Sequence, residues 1–330
     1  MPSCKKAEGS CLIGMSIPKL TKIYKLLDPE IRSKNRQALQ YWLRERYYQV
    51  VWPTMPDPIF VTGCCRSGTT ITAETIAASP NLLYLGYATP ELWDGLYGPQ
   101  HNGWESEAAG PEAAQPRHRH RALAYFYARL GCGMVLDRTC LHVMRIGYLI
   151  TLFPRARFVF VQRDGRDNVS SLMDAWRTAG PFGLRQVLGE FPERVAIDHG
   201  RFDQWMMFLP PGWRAYNKAS LEEVCAFQWI EANRLALEGR ELVPQAQWIH
   251  VRYEDIFDRP GDMFRDIFER LDLPFDEALH KRCETLAKQP RSIVSGEPRR
   301  GKWRERNRQA IERILPMIRP MMQHLNYAID

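Results

Sequence analysis

Short apolar runs alternate with stretches of helical periodicity along most of this chain. Five of the runs are rich in Val, Ile, Leu and Phe and are typical of buried strands. Strands that alternate with helices indicate a parallel sheet covered by helices on both faces. We therefore predict an α/β fold, a parallel sheet of about five strands in a three-layer sandwich with a helical, aromatic-rich cap. The predicted strands begin at Ile59, Leu82, Met134, Arg157 and Trp248.

The N-terminal part of the chain does not belong to this alternation. Residues 1–56 are predicted to be a helical extension of a domain that spans residues 57–330. The extension's helix, from Ile31 to about Trp52, is indicated by residues at helical spacing, and we expect the helix to pack on the outside of the domain. These residues are Leu39, Trp42, Leu43, Arg46 and Tyr47.

Two further regions carry no strand pattern. Residues 175–230 hold many aromatic residues and prolines, and we interpret them as a cap inserted above the ligand-binding edge of the sheet. Residues 98–120 are rich in Gly, Pro, Ala, Glu and His without periodicity, which predicts a mobile loop that could act as a lid. The basic run Arg117 to Arg121 inside that loop is interpreted as the exposed start of a helix.

Composition narrows the class of protein. The 330 residues carry a formal net charge of +7, which is compatible with an anionic ligand, but no long basic run indicates nucleic-acid binding. No uninterrupted apolar run of about 18 residues is present, so we expect no membrane span. The eight cysteines are scattered without a C-x-x-C pair. We expect reduced thiols in a cytoplasmic protein, with neither a disulfide framework nor a metal site.

The loop after the first strand carries the clearest chemical signal. Gly63 and Gly68 are separated by four residues, as in the P-loop pattern G-x-x-x-x-G-K-[ST], and a helix follows. Such a loop turns backbone N–H groups towards an anion at the helix N-terminus. Thr69 stands where the P-loop lysine belongs, which argues against ATP or GTP hydrolysis, and Arg66 supplies a cation inside the loop instead. The spacing of the two glycines alone would fit a structural turn equally well.

The segment Cys65-Arg66-Ser67-Gly68-Thr69-Thr70 resembles the Pro-Arg-Ser-Gly-Thr-Thr loop of sulfotransferases that use 3′-phosphoadenosine 5′-phosphosulfate (PAPS). The resemblance covers about residues 57–303 and implies a fold similar to that of P-loop nucleotide kinases. It also implies that these six residues hold the 5′-phosphosulfate. Cys65 replaces the usual Pro, which alters the stiffness of the loop but not its anion nest, because Pro supplies no N–H.

A second patch of resemblance follows the fourth strand. Arg163 at the strand end and Ser171 eight residues later match the family element that binds the 3′-phosphate. A guanidinium fork fits phosphate oxygens, and a hydroxyl on the next helix can complete the contact. By itself the pattern would also fit a salt bridge or a helix cap that involves Asp164 or Asp167.

Two weaker patches extend the resemblance towards the C-terminus. Tyr253-Glu254-Asp255 matches the family's motif after the fifth strand, where we expect structural support first and an adenine contact second. The basic segment around Arg300 and Gly301 resembles the family's C-terminal loop over the 3′-phosphate, although an ordinary basic surface turn would look the same.

The catalytic groups are less sharply defined by the sequence. Arg138 takes the position of a family lysine that faces the leaving oxygen, where a cation stabilises developing charge. A general base must accept the acceptor's proton. The protein-tyrosine branch of the family has a Glu where this chain has Tyr87, so Glu91 is our first choice, His142 the second and Asp137 the third. Each of the three could instead be a capping or ion-pairing residue.

The resemblance implies an enzyme that moves a sulfuryl group from PAPS to a hydroxyl of a small-molecule, lipid or sugar acceptor by in-line displacement. The product of the donor would be adenosine 3′,5′-bisphosphate (PAP). An alcohol or phenol is the expected partner, no metal is expected at the loop, and the possibility of a homodimer is left open. The alternatives are a P-loop-type kinase of a small molecule or nucleotide, and a non-catalytic PAPS-binding protein.

Overall fold

The central element is a parallel sheet of five strands. The computed structural model describes residues 29–51, 56–178, 182–286 and 299–329. The strands lie side by side in the order β2-β3-β1-β4-β5, and every neighbouring pair is parallel. The predicted α/β fold is confirmed. The strands are β1 Ile59–Thr62, β2 Leu82–Tyr84, β3 Met134–Asp137, β4 Arg157–Gln162 and β5 Trp248–Arg252.

Helices cover the sheet and connect its strands. They are α1 Pro29–Val50, α2 Thr69–Ile76, α3 Pro90–Tyr97, α4 Pro116–Leu130, α5 Ile146–Leu152, α6 Gly165–Arg177, α7 Arg185–Leu188, α8 Ile197–Gly200, α9 Leu221–Arg240, α10 Asp255–Asp258, α11 Pro260–Arg270, α12 Glu277–Glu284, α13 Trp303–Arg306 and α14 Arg308–His324. A 3-10 helix, Cys140–Met144, lies between β3 and α5. None of the described helices is both long and apolar enough to cross a membrane.

The strand order determines where a ligand can bind. Strand β1 is central and pairs with β3 on one side and β4 on the other, with Ile59 level with both Leu136 and Arg157. The chain therefore leaves neighbouring strands in opposite directions across the sheet, which opens a crevice at their carboxyl ends. The loops after β1, β3 and β4 meet at this crevice.

Alternate side chains of the strands enter two different hydrophobic clusters. Phe60 and Phe158 point into one cluster, and Ile59 and Val159 point into the other. This follows from the two-residue period of a strand, and burial on both faces explains why the strands are almost entirely apolar.

Aromatic side chains of the cap belong to the same hydrophobic cluster as Phe60 and Phe158. Trp176, Trp205 and Trp213 are buried together with Phe60 and Phe158. Most of the predicted cap aromatics therefore build a core that is continuous with the sheet. Residues 179–181 of the cap lie outside the described ranges.

Helix α1 packs against α4 through polar and aromatic side chains. Glu45 pairs with Arg129 at 3.2 Å, and the rings of Tyr48 and Tyr127 lie 5.8 Å apart. Of the residues that indicated the helix, Leu39, Trp42, Leu43 and Tyr47 are each more than half exposed. Hydrophobic periodicity therefore does not identify the packing face of this helix, because ring contacts and ion pairs form it. Residues 1–28 of the predicted extension lie outside the described ranges.

The predicted lid is an anchored segment. Glu107 is 1% exposed, and backbone hydrogen bonds join its N–H to Leu209 and the N–H of Ala109 to Met144. Two short 3-10 helices, Pro99–Asn102 and Pro111–Ala113, also occur there, and α4 begins at Pro116. The basic run is the first part of α4, as interpreted. Because buried groups hold this segment to the rest of the domain, it cannot open freely over a site.

Candidate active site

The loop between β1 and α2 has the geometry of an anion cradle. Gly68 is the residue before α2 and has φ 106°, a left-handed conformation that favours glycine. A Cβ atom at Gly68 would lie 2.2 Å from Cδ2 of Tyr253, so the loop also needs glycine for close packing. The N-terminus of α2 therefore points its free N–H groups towards the crevice, where an anion would be stabilised.

The second predicted turn meets this loop. Nη1 of Arg163, which follows β4, donates a 2.7 Å hydrogen bond to the carbonyl oxygen of Arg66. Nε of Arg66 lies 3.4 Å from Oγ of Ser171 on α6. The Arg163 guanidinium also lies 4.5 Å from the ring centre of Tyr253. The structure thus brings together Arg66, Arg163 and Ser171, which the resemblance assigned to opposite ends of one nucleotide, and packs Tyr253 against them.

These residues line one cavity of about 450 Å³ at the carboxyl edge of the sheet. Among the described residues, five cationic side chains and three carboxylates line it. Burial is the main cause that lowers the pKa of the Arg66 guanidinium, and the positive charge of Arg163 lowers it further. Burial and the positive charge of nearby arginines likewise lower the pKa of the Lys302 ammonium group. A bound anion would relieve this crowding of positive charge. The cations are Arg66, Arg138, Arg163, Arg299 and Lys302, and the carboxylates are Glu91, Asp167 and Asp174.

One residue of the cavity wall has an unsatisfied buried donor that suits a phosphate-bearing ligand. Arg163 lines the cavity, and its buried Nε has no hydrogen-bond partner within the described part of the chain. Oγ of Ser67, in the adjoining loop but not among the lining residues, is also buried without a described partner. Buried donors are normally satisfied, so partnerless donors beside a helix N-terminus suit the oxygens of an anion. Thr69 and Thr70 at the start of α2 also line the cavity. The residues present therefore fit the phosphates of PAPS.

The C-terminal basic loop is held against the same cavity by Asp167. Its carboxylate accepts hydrogen bonds from the backbone N–H of Gly301 at 2.7 Å and of Trp303 at 3.2 Å. Arg300, which the resemblance placed at the cofactor, instead binds the carbonyl oxygen of Glu254 at 2.8 Å and the carboxylate of Asp258. Arg300 is not among the residues that line the cavity, whereas Arg299 and Lys302 are. The predicted loop is close to the site, but a different basic residue faces it.

The three candidate bases occupy different environments. Glu91, at the start of α3, is exposed at the cavity wall, and Oη of Tyr125 donates to its carboxylate at 3.1 Å. His142 is fully buried between the rings of Phe60 and Trp93, and it is not among the lining residues. The structure therefore does not bring His142 to the cavity. Its Nε2 lies 2.6 Å from the carboxylate of Asp137.

Asp137, at the end of β3, organises the loops around the catalytic edge. Its carboxylate accepts hydrogen bonds from Trp93 Nε1 at 2.8 Å, Thr139 Oγ1 at 3.1 Å and Thr89 Oγ1 at 3.2 Å. Burial would raise the pKa of Asp137, but His142 and these donors hold the pKa below its usual value. The ionised carboxylate ties the end of β3 to the start of α3. Asp137 is therefore placed to position Arg138 and Glu91, not to accept a substrate proton.

Arg138 is half-buried in the cavity wall, and its Nε lies 3.4 Å from Oη of Tyr84. The far part of the cavity is apolar. It is lined by Leu141 and by several residues of the cap, of which Phe182 is the only aromatic one among the described residues. The other lining residues from the cap are Gly183, Leu184, Val187 and Met207.

Two structural contributors were not identified from the sequence. Asn168 Nδ2 donates a 2.8 Å hydrogen bond to the carbonyl oxygen of Cys65, which fixes the loop from the side of α6. Asp167 was considered only as an alternative cap or ion pair. Neither role has a local sequence signal, because both contacts join segments that are far apart in the chain.

Comparison with known proteins agrees with this geometry. The family model described as "Sulfotransferase family" matches residues 58–209. A sulfotransferase from Mycobacterium avium has a similar structure, with a TM-score of 0.54 and 16% identity, over 87% of this chain and 82% of that chain. No curated protein sequence matches the chain significantly. The similarity to the Mycobacterium avium structure shows a shared fold.

Two further solved structures are similar at lower scores. A sulfotransferase from Mycobacterium tuberculosis has a TM-score of 0.47 and 15% identity, over 76% of this chain and 76% of that chain. A mouse sulfotransferase complexed with PAP has a TM-score of 0.44 and 12% identity, over 80% of this chain and 85% of that chain.

Proposed function

Because the chain belongs to the sulfotransferase family, whose sulfate donor is PAPS, we propose that it transfers a sulfuryl group to a hydroxyl group of a small, largely apolar acceptor. The observation that carries this proposal is the convergence of two distant turns. Arg163 and Ser171 contact Arg66 of the glycine loop, and all three line one cavity. A ligand with anionic groups at two ends of an adenosine would satisfy both turns.

The residues divide into three roles under this proposal. The backbone of residues 65–70 and the side chains of Arg66 and Ser67 hold the 5′-phosphosulfate, while Arg163 and Ser171 hold the 3′-phosphate. Tyr253 packs against the loop and Arg163, which supports the structural role preferred for it. When bound, PAPS supplies the sulfuryl group and a phosphate leaving group.

Arg138 and Glu91 are proposed to act on the transferred group and the acceptor. A cation in the wall of a partly desolvated cavity stabilises negative charge that develops on a leaving oxygen. Glu91 is a carboxylate at the same cavity and is our choice for the group that receives the acceptor proton. A lysine could also donate a proton, whereas an arginine cannot readily do so, and Arg138 therefore contributes charge only.

The apolar far wall favours an acceptor with a hydrophobic body. Phe182, Leu184, Val187 and Met207 would cover apolar atoms, which leaves the acceptor hydroxyl to reach the polar end of the cavity. Alcohols and phenols of drug-like size fit these properties better than free sugars do.

A kinase is the weaker alternative. Thr69 stands in place of the P-loop lysine that contacts the β and γ phosphates. A non-catalytic PAPS-binding protein is disfavoured by the presence of Arg138 and Glu91 in the wall of the cavity.

Two measurements test the proposal. Isothermal calorimetry should give micromolar or tighter affinity for PAP and no detectable binding of ATP with Mg²⁺. Transfer of labelled sulfate from PAPS to a panel of hydrophobic alcohols and phenols should then reveal an acceptor. Binding of ATP–Mg²⁺ in preference to PAP would overturn the sulfotransferase assignment. Binding of PAP without transfer to any acceptor would favour the non-catalytic alternative.

A further inference from the structure

Two cysteines from distant parts of the chain meet at the wall of the cofactor cavity. Cys65 lies in the loop after β1, and Cys140 begins the 3-10 helix after β3. Both side chains line the cavity, and each thiol is close enough to shift the pKa of the other. Cys140 Sγ also lies 3.7 Å from Oγ1 of Thr69. The contact follows from the parallel pairing of β1 with β3, which aligns the ends of the two strands.

The surroundings give the two sulfurs different proton affinities. A hydrogen bond from Cys65, together with the charge of Arg138 and a hydrogen bond from Thr69, lowers the pKa of Cys140 to about 6. The same hydrogen bond, together with burial, raises the pKa of Cys65 well above its usual value. Cys140 therefore loses its proton more readily than Cys65 does. A thiolate beside a thiol is the arrangement in which cysteine oxidation proceeds to a disulfide.

The other described cysteines lack this combination. Burial raises the pKa of Cys64, Cys225 and Cys283, so these thiols are poor nucleophiles. Cys132 is exposed and lies 3.6 Å from Oη of Tyr48, away from the cavity. Cys132 therefore provides a natural internal control for unspecific oxidation.

We propose that Cys65 and Cys140 are an oxidisable dithiol, and that hydrogen peroxide converts the pair into a disulfide that blocks the cofactor end of the cavity. The Cys140 thiolate attacks one peroxide oxygen, the O–O bond breaks, and sulfenic acid and hydroxide form. Cys65 then attacks the sulfenic sulfur, an S–S bond forms, and the sulfenic oxygen leaves as water. The sulfurs lose two electrons in total, and the peroxide is reduced to one water molecule and one hydroxide ion, which takes a proton from the solvent.

The bond would distort the anion cradle because Cys65 is part of it. A disulfide requires about 2.05 Å between the sulfurs, so Cys65 must move from hydrogen-bonding distance towards Cys140. The carbonyl oxygen of Cys65 is held by Asn168, and that of the next residue is held by Arg163. Movement of Cys65 therefore pulls against both contacts that shape the loop. Reduction by a dithiol would reverse the change.

Peptide mapping tests the chemistry directly in the wild-type protein. After treatment with a small excess of hydrogen peroxide and alkylation with iodoacetamide, mass spectrometry should show a peptide cross-linked between Cys65 and Cys140. Dithiothreitol should remove the cross-link. In the reduced protein, alkylation of Cys140 should accelerate as the pH rises through about 6, because the thiolate is the nucleophile. Persistence of two free thiols, or a cross-link between any other pair, would overturn the proposal.

Calorimetry tests the functional consequence. Oxidised wild-type protein should bind PAP at least tenfold more weakly than reduced protein and should recover with dithiothreitol. Cys132→Ser should lose affinity on oxidation as the wild type does, whereas Cys140→Ser should keep its affinity after peroxide treatment. If Cys140→Ser does not fold, Cys65→Ser is the variant to use in its place. A loss of affinity below tenfold would refute the blocking effect. The mapping does not depend on the proposed sulfotransferase function, so a reduced protein that fails to bind PAP would contradict that function alone.

Discussion

Arg163 contacts two parts of the candidate site at once. It donates to the carbonyl oxygen of Arg66 and lies against the ring of Tyr253, and its buried Nε has no described partner. The two contacts fix the guanidinium in the wall of the cavity. This explains why a residue at a strand end can serve both the loop and a ligand.

Arg163→Ala should weaken PAP binding at least tenfold. A hydrogen bond between charged groups contributes roughly 1.5–3 kcal/mol, which corresponds to about tenfold or more in affinity. Calorimetry measures the change, and Arg308→Ala is a matched control because Arg308 pairs only with Glu312 on its own helix among the described contacts. Unchanged affinity in Arg163→Ala would remove this residue from the site.

Gly68→Ala should abolish PAP binding and lower stability. The residue combines a left-handed φ with a steric conflict, since the new Cβ would lie 2.2 Å from Tyr253. Strain of this kind costs about 1–3 kcal/mol before the clash is counted. Gly86→Ala separates the two effects, because Gly86 also has a positive φ (84°) but has no atom within 4 Å of the added Cβ. Chemical denaturation of both variants should show the larger loss for Gly68→Ala, and equal losses would contradict the packing role of Tyr253.

Glu91→Gln should lower kcat by about 10²–10⁴-fold while PAP affinity stays unchanged. The amide keeps an acceptor for Tyr125 but cannot take a proton from the acceptor hydroxyl. Steady-state kinetics with the acceptor found in the panel, together with calorimetry, give both quantities. Glu112→Gln, at an exposed residue outside the cavity lining, should leave kcat unchanged. A Glu91→Gln enzyme within threefold of wild type would exclude Glu91 as the base.

At the scale of elements, the site depends on contacts that tie helix starts to strand ends. The buried ion pair between Asp94 and Arg145, at 2.6 Å, holds α3 to the turn before α5, and Asp137 holds the start of the same helix. Breaking a buried pair leaves an uncompensated charge, which is strongly destabilising. These contacts make α3 a rigid support for Glu91.

Asp167→Asn should release the loop of residues 299–303 and weaken PAP binding several-fold. The two oxygens of Asp167 each accept one backbone N–H, whereas an amide offers only one acceptor oxygen. Hydrogen–deuterium exchange should become faster at Gly301 and Trp303. Asp276→Asn, which changes the N-cap of α12, is a control that should leave this loop unaffected. Unchanged exchange in Asp167→Asn would show that α13 alone holds the loop.

At the scale of the molecule, the cavity gathers charge from four segments of the chain. Arg66, Arg138, Arg163 and the C-terminal Lys302 all face it. Confined cations raise the local concentration of an anionic ligand and make its binding sensitive to salt. A ligand that neutralises them also joins segments that the chain connects only through the sheet.

Saturating PAP should therefore raise the melting temperature by about 4–5 °C. A ligand at 100 times its Kd adds about 2.7 kcal/mol to stability, and a domain of this size gains roughly 1.5–2 °C per kcal/mol. Differential scanning fluorimetry measures the shift, which should shrink at high salt; ATP with Mg²⁺ should produce no comparable shift. Equal shifts with both nucleotides would mean that the cavity does not distinguish a 3′-phosphate from a triphosphate.

The sequence by itself determined the sheet and the two cofactor turns. Strands that are buried on both faces must be apolar runs, and a loop that approaches Tyr253 with a positive φ must contain Gly68. These requirements are local, so they are visible in neighbouring residues. The anchoring of residues 98–115 was not predicted, because the buried and backbone contacts that hold this segment leave no periodic pattern in the sequence.

Only the tertiary structure decided which distant groups meet. The contacts of Asp167 with Gly301, of Asn168 with Cys65, and of Cys65 with Cys140 all join residues that are far apart in the chain. The parallel alignment of β1, β3 and β4 brings together the segments that follow these strands, and no spacing along the chain encodes the contacts. His142 lies in the core, whereas Glu91 lies at the cavity. Which of these two candidate bases reaches the cavity depends on three-dimensional packing and not on residue type.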